Sequence, residues 1–285
     1  MSLRVTLLGT GTSHGVPMIG CDCDVCRSLD PRDRRTRPSI LIQIQLPPGG
    51  SHAPPSRAAG SARTAESSAV ARAVHNILVD TSPDLRAQAL ANRVTRVDAI
   101  LFTHSHADHV LGLDEVRRFN VLQREPMPCF GDARTLADLR QTFGYIFTTP
   151  DARGGGIPQI VLSQIAGPFS LGGSEIVPVP IMHGPRSILG FRVGSFAYLT
   201  DCSRIPDESW PLVDGVRTLV IDALRERPHP THFSVSEALE VVARLSPDRA
   251  YFTHVCHDLA HAATCARLPA GVELAYDGLV LEIDD

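Results

Sequence analysis

Short runs of alternating or unbroken apolar residues recur at 3–8, 39–45, 75–80, 98–103, 174–181, 188–193, 196–200, 217–222, 249–254 and 279–283. Runs of this length, rich in Val, Ile, Leu and Phe, predict strands. The segments between them predict helices over about 83–92, 112–123, 132–143, 234–245 and 257–267. The fourth opens on Ser234 with Glu237 three residues later, the pattern of a capping box. Strands separated by helices, with hairpin-like pairs among them, predict an α/β protein whose mixed sheets are covered by helices. One stretch breaks the pattern. Residues 47–73, rich in Pro, Gly, Ser and Ala, hold almost no large apolar side chain. They read as a long mobile hairpin insertion in a single domain spanning 1–285, because the residues before them are too few for an independent domain. His52, inside this stretch, reads as solvated.

Composition narrows the class. At 285 residues and 43% hydrophobic, the chain can bury a sizeable core. A net charge of −4 gives no basic field that would make nucleic acid the main partner. No apolar run is long enough to span a bilayer, so no membrane partner is expected. The opening MSLRVTLLGTGTSHG reads as a strand running into a glycine turn, not as an export signal. A reducing cytoplasm is the resulting expectation. There the crowded thiols of Cys21, Cys23 and Cys26 favour a metal over a disulfide. Zinc with thiolates takes a closed tetrahedral set, so a fourth ligand is required. Asp22, Asp24, a distant cysteine or a histidine brought close by folding would each supply it.

Twelve histidines are many, and the strongest signal lies among them. In AILFTHSHADHVLG a buried strand ends at Thr103, and His104, His106, Asp108 and His109 follow at once. These side chains converge only if the backbone turns tightly. VPVPIMHGP, FAYLTDCS and RAYFTHVCH then place His183, Asp201 and His254 at the ends of three further apolar runs. Any one of these is an ordinary strand-end residue. Four such endings together predict a metal centre at one sheet edge.

That series resembles the metallo-β-lactamase superfamily, from the strand at residue 3 to the last strand. The resemblance implies an αββα sandwich of two mixed β-sheets flanked by helices, with two divalent ions, zinc or manganese, at one edge. By position, His104, His106 and His183 would hold the first ion, and Asp108, His109 and His254 the second. Asp201 would bridge both, and Asp80, ending NILVD, would support the histidine loop. A hydroxide shared by two such ions is a nucleophile near neutral pH. Within the superfamily it resembles, a bridging carboxylate such as Asp201 is typical of the phosphodiesterase-like branches, whereas many β-lactamases use a cysteine near this point. Cys202 is adjacent, but if the strand continues it faces away from the ions.

GTGTSHGVPMIGCDCDVC, RRTRPS, PTHFS and FTHVCH together are similar to the phosphoribosyl 1,2-cyclic phosphate phosphodiesterases of phosphonate breakdown. This implies a small phosphorylated substrate and a homodimer. Asp108 and His232 would be the catalytic residues, with His232 as phosphate contact or proton donor to the leaving oxygen. His229 is its nearest competitor. The same resemblance implies a structural zinc on Cys21, Cys23, Cys26 and His257, with His261 and Cys256 as alternatives. A helix over 257–267 would set His257 one turn beyond His254. Arg34, Arg35 and Arg37 could meet phosphate or be solvated, and His14 could reach the active-site edge but is expected to be an exposed loop residue. Cys256 and Cys265 read as buried structural thiols. Two other functions stay open: an endonuclease resembling the tRNA 3′-end-processing enzymes, and a metal-binding module without turnover.

Overall fold

The computed structural model describes residues 2–45, 74–147 and 156–284. The insertion at 47–73, with His52, lies outside the described residues. In chain order the first sheet is built from β1 (Ser2–Gly9), β2 (Ser39–Gln45), β3 (Val74–Val79), β4 (Ala99–Leu101), β5 (Met127–Gly131) and β6 (Ile160–Gln164). The second holds β7 (Phe169–Leu171), β8 (Ser174–His183), β9 (Arg186–Val193), β10 (Phe196–Leu199), β11 (Thr218–Asp222), β12 (Arg249–Thr253) and β13 (Val272–Leu274). The last strand, β14 (Val280–Asp284), returns to the first sheet beside β1. The orders are β14-β1-β2-β3-β4-β5-β6 and β13-β12-β11-β10-β9-β8-β7.

Alternation in the strands creates the layers. Leu3, Val5 and Leu7 of β1 and Ile40, Ile42 and Ile44 of β2 point inward, meeting Ile176, Phe191, Phe196 and Tyr198 of the second sheet. The outer face of the first sheet is covered by α1 (Leu85–Ala91), α3 (Val116–Gln123) and α4 (Ala133–Thr142), with the one-turn α2 (Ala107–Val110) lying between the first two. Phe119, Leu136 and Leu139 from these helices pack on Ile100, Phe102 and Cys129. After the short α5 (Gly144–Phe147) and α6 (Trp210–Val213), α7 (Val235–Leu245) covers the second sheet through Val235, Ala238 and Val241. The result is the expected αββα sandwich. The capping box at the start of α7 forms as its spacing predicts.

Strand direction decides where the site falls. β10, β11 and β12 are mutually parallel, and β8 reverses twice through β9 to run with them. The C-terminal ends of β8, β10, β11 and β12 therefore share one edge. β3 and β4, parallel in the other sheet, bring Asp80 and the histidine loop to the same place.

Three expectations change. The region 112–123 splits into a 3₁₀ turn at Leu113–Glu115 followed by α3. The last predicted helix shrinks to α8 (His261–Cys265), which leaves His257 in a turn and not one helical turn beyond His254. Strands β5, β6, β7 and β13 are short, and β5 carries Pro128, so their sequences signal weakly. Among the described residues no helix is long and apolar enough to cross a membrane.

Arg35 is neither solvated nor a phosphate contact. It is buried, and donates to Thr10 Oγ1, the Ala275 carbonyl and His261 Nδ1. Arg34 is exposed, and Arg37 pairs with Asp84 at 3.1 Å. His261 is 4% exposed, and its pKa is lowered to about 4 by burial and then by Arg35 and Arg32. The unfolded chain therefore binds this proton more readily than the folded one. Folded stability is expected to fall as pH drops from about 6.5 towards 4. Urea unfolding at pH 7, 5.5 and 4.5 checks this: His261→Gln should flatten the slope, and an unchanged slope would remove His261 as its origin.

Candidate metal centre

Three residues at the shared edge leave their strands in the left-handed region: Asp80 at φ 62°, Asp201 at 56° and His254 at 58°. Few residues other than glycine adopt it, and Asp and His are among those that do. Each bend turns the chain sharply where a side chain must face the edge. Hydrogen bonds hold the bends, from Asp80 N to the Leu101 carbonyl and from Val255 N to the Thr10 carbonyl, both 2.9 Å.

Two groups of donor atoms converge there. His104, His106 and His183 form one; Asp108, His109, Asp201 and His254 form the other. Within each group the ligand atoms lie within 4.8 Å of one another. Asp201 faces both. Its Oδ1 is 3.2 Å from His109 Nε2, and its Oδ2 is 3.3 Å from His254 Nε2 and 3.9 Å from His104 Nε2. Asp108 Oδ2 approaches His109 Nε2 at 3.5 Å and His254 Nε2 at 3.7 Å.

The buried Nε2 atoms of His104, His109 and His254 have no hydrogen-bond partner in the protein. Buried polar atoms are nearly always paired. Three such nitrogens gathered around a carboxylate fit ligands whose partner is a cation. The opposite nitrogens of His104, His109 and His183 are engaged from behind, whereas both ring nitrogens of His254 lack a partner. Asp80 Oδ2 lies 2.7 Å from His109 Nδ1 and also accepts from Thr103 Oγ1, while Oδ1 accepts from Thr103 N. The Thr231 carbonyl accepts from His183 Nδ1 at 2.8 Å. These contacts fix the rings of His109 and His183 and aim Nε2 at the centre, as metal-bound histidines require.

His232 stands beside both groups, its ring 4.7 Å from His183 and 4.6 Å from His254. Its Nδ1 lies 2.6 Å from Asp222 Oδ2, which leaves Nε2 free. Asp222, fully buried at the end of β11, was not anticipated. The signal was present in TLVID, an apolar strand ending in Asp, as NILVD ends in Asp80. His229 lies one ring away, 5.2 Å from His232. His14 is exposed as expected, but it lines the cleft that His232 closes. Cys202 faces away from the site, buried in the layer under α7.

The second donor set also assembles. Cys21, Cys23 and Cys26 Sγ lie 3.2, 3.4 and 3.7 Å from His257 Nδ1. Tetrahedral zinc with its usual bond lengths would set sulfur and nitrogen about 3.5 Å apart. His261 instead faces Arg35 and Cys265, and Cys256 is half-buried in the cleft wall, so neither joins the set. Cys265 is likewise half-buried, packed at the margin of the core under Leu274 N.

The profile of the β-lactamase superfamily domain matches residues 75–255. An octanoyltransferase of Porphyromonas gingivalis is 33% identical over 287 residues; the alignment covers 99% of this chain but 52% of that protein. The chain thus spans about half the length of this curated relative. Among solved structures, a new diphosphatase from the PhnP family is 40% identical, covers 99% of this chain and 98% of its own, and superposes with a TM-score of 0.83. Zinc-bound PqqB from Methylobacterium extorquens shares the fold alone, at 19% identity over 98% of this chain and 100% of its own, TM-score 0.69. On its fold, its histidine and aspartate edge and these matches, the chain belongs to the metallo-β-lactamase superfamily of metal-dependent hydrolases and resembles its PhnP family.

Proposed function

We propose that the protein is a phosphodiesterase with two divalent ions at its active site, acting on a small cyclic phosphate of the phosphoribosyl type. The observation that carries this reading is Asp201 facing both histidine sets, with the buried Nε2 atoms of His104, His109 and His254 unpartnered around it. His104, His106, His183 and Asp201 would hold one ion, and Asp108, His109, His254 and Asp201 the other, as zinc or manganese. Such ions supply Lewis acidity and lower the pKa of water. The chain's own groups do the rest. Asp80 and the Thr231 carbonyl hold two ligand rings in place. Asp108, only 8% exposed, keeps a carboxylate oxygen in the reaction zone. His232, steadied by Asp222, presents Nε2 where a leaving oxygen needs a proton. Cys21, Cys23, Cys26 and His257 would hold a third, structural zinc, which suits a reducing cytoplasm.

A second reading keeps the site and changes the bond. The 40% identity to a diphosphatase over nearly the whole chain favours hydrolysis of a P–O–P linkage. Purified protein, loaded with Mn or Zn separately, should be screened against cyclic phosphates, linear diesters, diphosphates, RNA and a lactone. Cyclic phosphate as best substrate is the expected result, and a diphosphate preference selects the second reading. RNA or lactone preference overturns both, and full metal content without turnover would make the protein a binding module.

His232→Ala is expected to lower turnover by about a hundred- to ten-thousandfold while leaving metal content intact. Asp222→Asn should lower it less, again without metal loss. Loss of metal in either variant would make His232 a ligand and not a proton donor.

A further inference from the structure

The donor set of His104, His106 and His183 comes from only two places in the chain. His104 and His106 lie on the loop after β4, and His183 ends β8. In the β8–β9 hairpin His183 stands directly opposite Arg186. His106 is the exposed member of the set. Nδ1 of His104 meets Thr103 Oγ1, and Nδ1 of His183 meets the Thr231 carbonyl. Among the described residues no such hydrogen bond holds the His106 ring, which touches only the rings of His104 and His183. Its aim therefore depends on the backbone that carries it.

That backbone is held through Ser105, the residue between the two histidines. The Ser105 hydroxyl donates to Asp138 Oδ2 of α4 at 2.5 Å and accepts from Arg186 Nη2 at 2.9 Å. Arg186 Nη2 also lies 3.6 Å from the same Asp138 oxygen. One hydroxyl thus joins the histidine loop, a helix and the hairpin that delivers His183. The helix is a firm anchor, because Asp132 caps its first turn and Leu136 and Leu139 lie in the core beneath it. A main-chain bond from Leu189 N to the Thr103 carbonyl, 3.0 Å, already ties β9 to the start of the loop. The Arg186–Ser105 bond adds a second tie, nearer the ligands.

This arrangement is costly to keep. The Arg186 side chain is only 12% exposed, and its buried Nε has no hydrogen-bond partner. Burying an incompletely paired guanidinium costs free energy, and an ion pair with the partly exposed Asp138 returns little. The Arg186 charge also acts at His106, where it opposes a bound cation. A group that is expensive in place and unfavourable to a metal by charge is accounted for by the geometry it enforces. We propose that Arg186 and Asp138 are positioning residues, acting through the Ser105 hydroxyl to hold His104 and His106 against His183 for the first ion. This rests on the two-ion reading above.

The test titrates the zinc-loaded full chain with a chromophoric chelator and counts the ions released per chain. Ser105→Ala and Arg186→Gln are each expected to release one ion about tenfold more readily, with the other ions unmoved. Charge alone predicts the opposite sign, since removing a cation beside His106 would tighten binding. Arg186→Lys keeps a donor and should recover part of the loss. The double variant should be no weaker than Ser105→Ala, because both substitutions cut the same link. Added to His106→Ala, neither should change metal binding further. Unchanged or tighter binding in Arg186→Gln, or losses that add in the double variant, overturns the proposal and leaves the two-ion reading standing. Equal weakening of every ion, with a lower Tm of the metal-free chain, would be a general loss of stability and would also overturn it. An unaltered protein that holds no more metal than His106→Ala sinks the two-ion reading, and the proposal with it.

Discussion

Asp201→Ala is expected to reduce turnover at least a thousandfold, about 4 kcal/mol of transition-state stabilisation, and to lower active-site metal from two ions to one or none. The carboxylate is 2% exposed; its Oδ1 lies near His109, and its Oδ2 near His254 and, at 3.9 Å, near His104 of the other histidine set. Thr200 Oγ1 donates to Oδ1 at 2.8 Å and fixes the side chain. Removing it leaves the Nε2 atoms of His104, His109 and His254 buried around no negative charge. Two cations held side by side repel strongly in a buried site, so loss of the shared anion should expel at least one. Metal analysis after dialysis, with turnover of bis(p-nitrophenyl) phosphate, measures both effects. Asp201→Asn keeps the shape without the charge and should behave nearly as badly. Full activity with normal metal loading in Asp201→Ala would refute the two-ion arrangement.

The second large effect is expected from Cys23→Ser. Cys23 Sγ lies 3.4 Å from His257 Nδ1, 234 positions away in the chain, and accepts from Cys26 N at 3.4 Å. The hydrogen bond from Cys26 leads in bringing its pKa down to about 7, whereas burial pushes Cys26 up to about 11. Three neighbouring thiols cannot all ionise without a cation among them. With serine in place of one thiolate, bound metal should fall from three ions per chain to two. A loss of about 3 kcal/mol would then lower Tm by roughly 6–12 °C. The active-site ions should remain, because His254 is carried by β12 and Val255 N stays bonded to Thr10. A count of two metals in both proteins would show that the cysteine set binds none.

Much of this site was legible along the chain. His104, His106, Asp108, His109, His183, Asp201 and His254 each follow an apolar run, and a strand end is where a polar side chain can reach an open edge. Other features were not. Arg35 sits among arginines that look alike in sequence, yet it alone is buried, because Thr10, Ala275 and His261 converge on it from three distant segments. Asp222 carried the same strand-end mark as Asp80, but its importance depends on His232 lying 2.6 Å away. Whether His14 reaches the site edge could not be read from its loop, because the cleft it lines forms only where residues 12–18, 224–232 and 256–258 meet.

The three thiols within GCDCDVC, the histidine loop and the order of strand-end ligands are local facts, set by residue type and spacing, so the sequence by itself determined the fold class and most of the donor set. Which donors meet is not local. Asp201 becomes shared only because β8, β10, β11 and β12 run the same way and β3 and β4 reach the same edge from the other sheet. His257 joins Cys21, Cys23 and Cys26 through a turn that leaves the strand carrying His254, not through the helix its spacing suggested. Side-chain chemistry is written residue by residue, whereas distance between residues is decided by strand direction, backbone bends and packing.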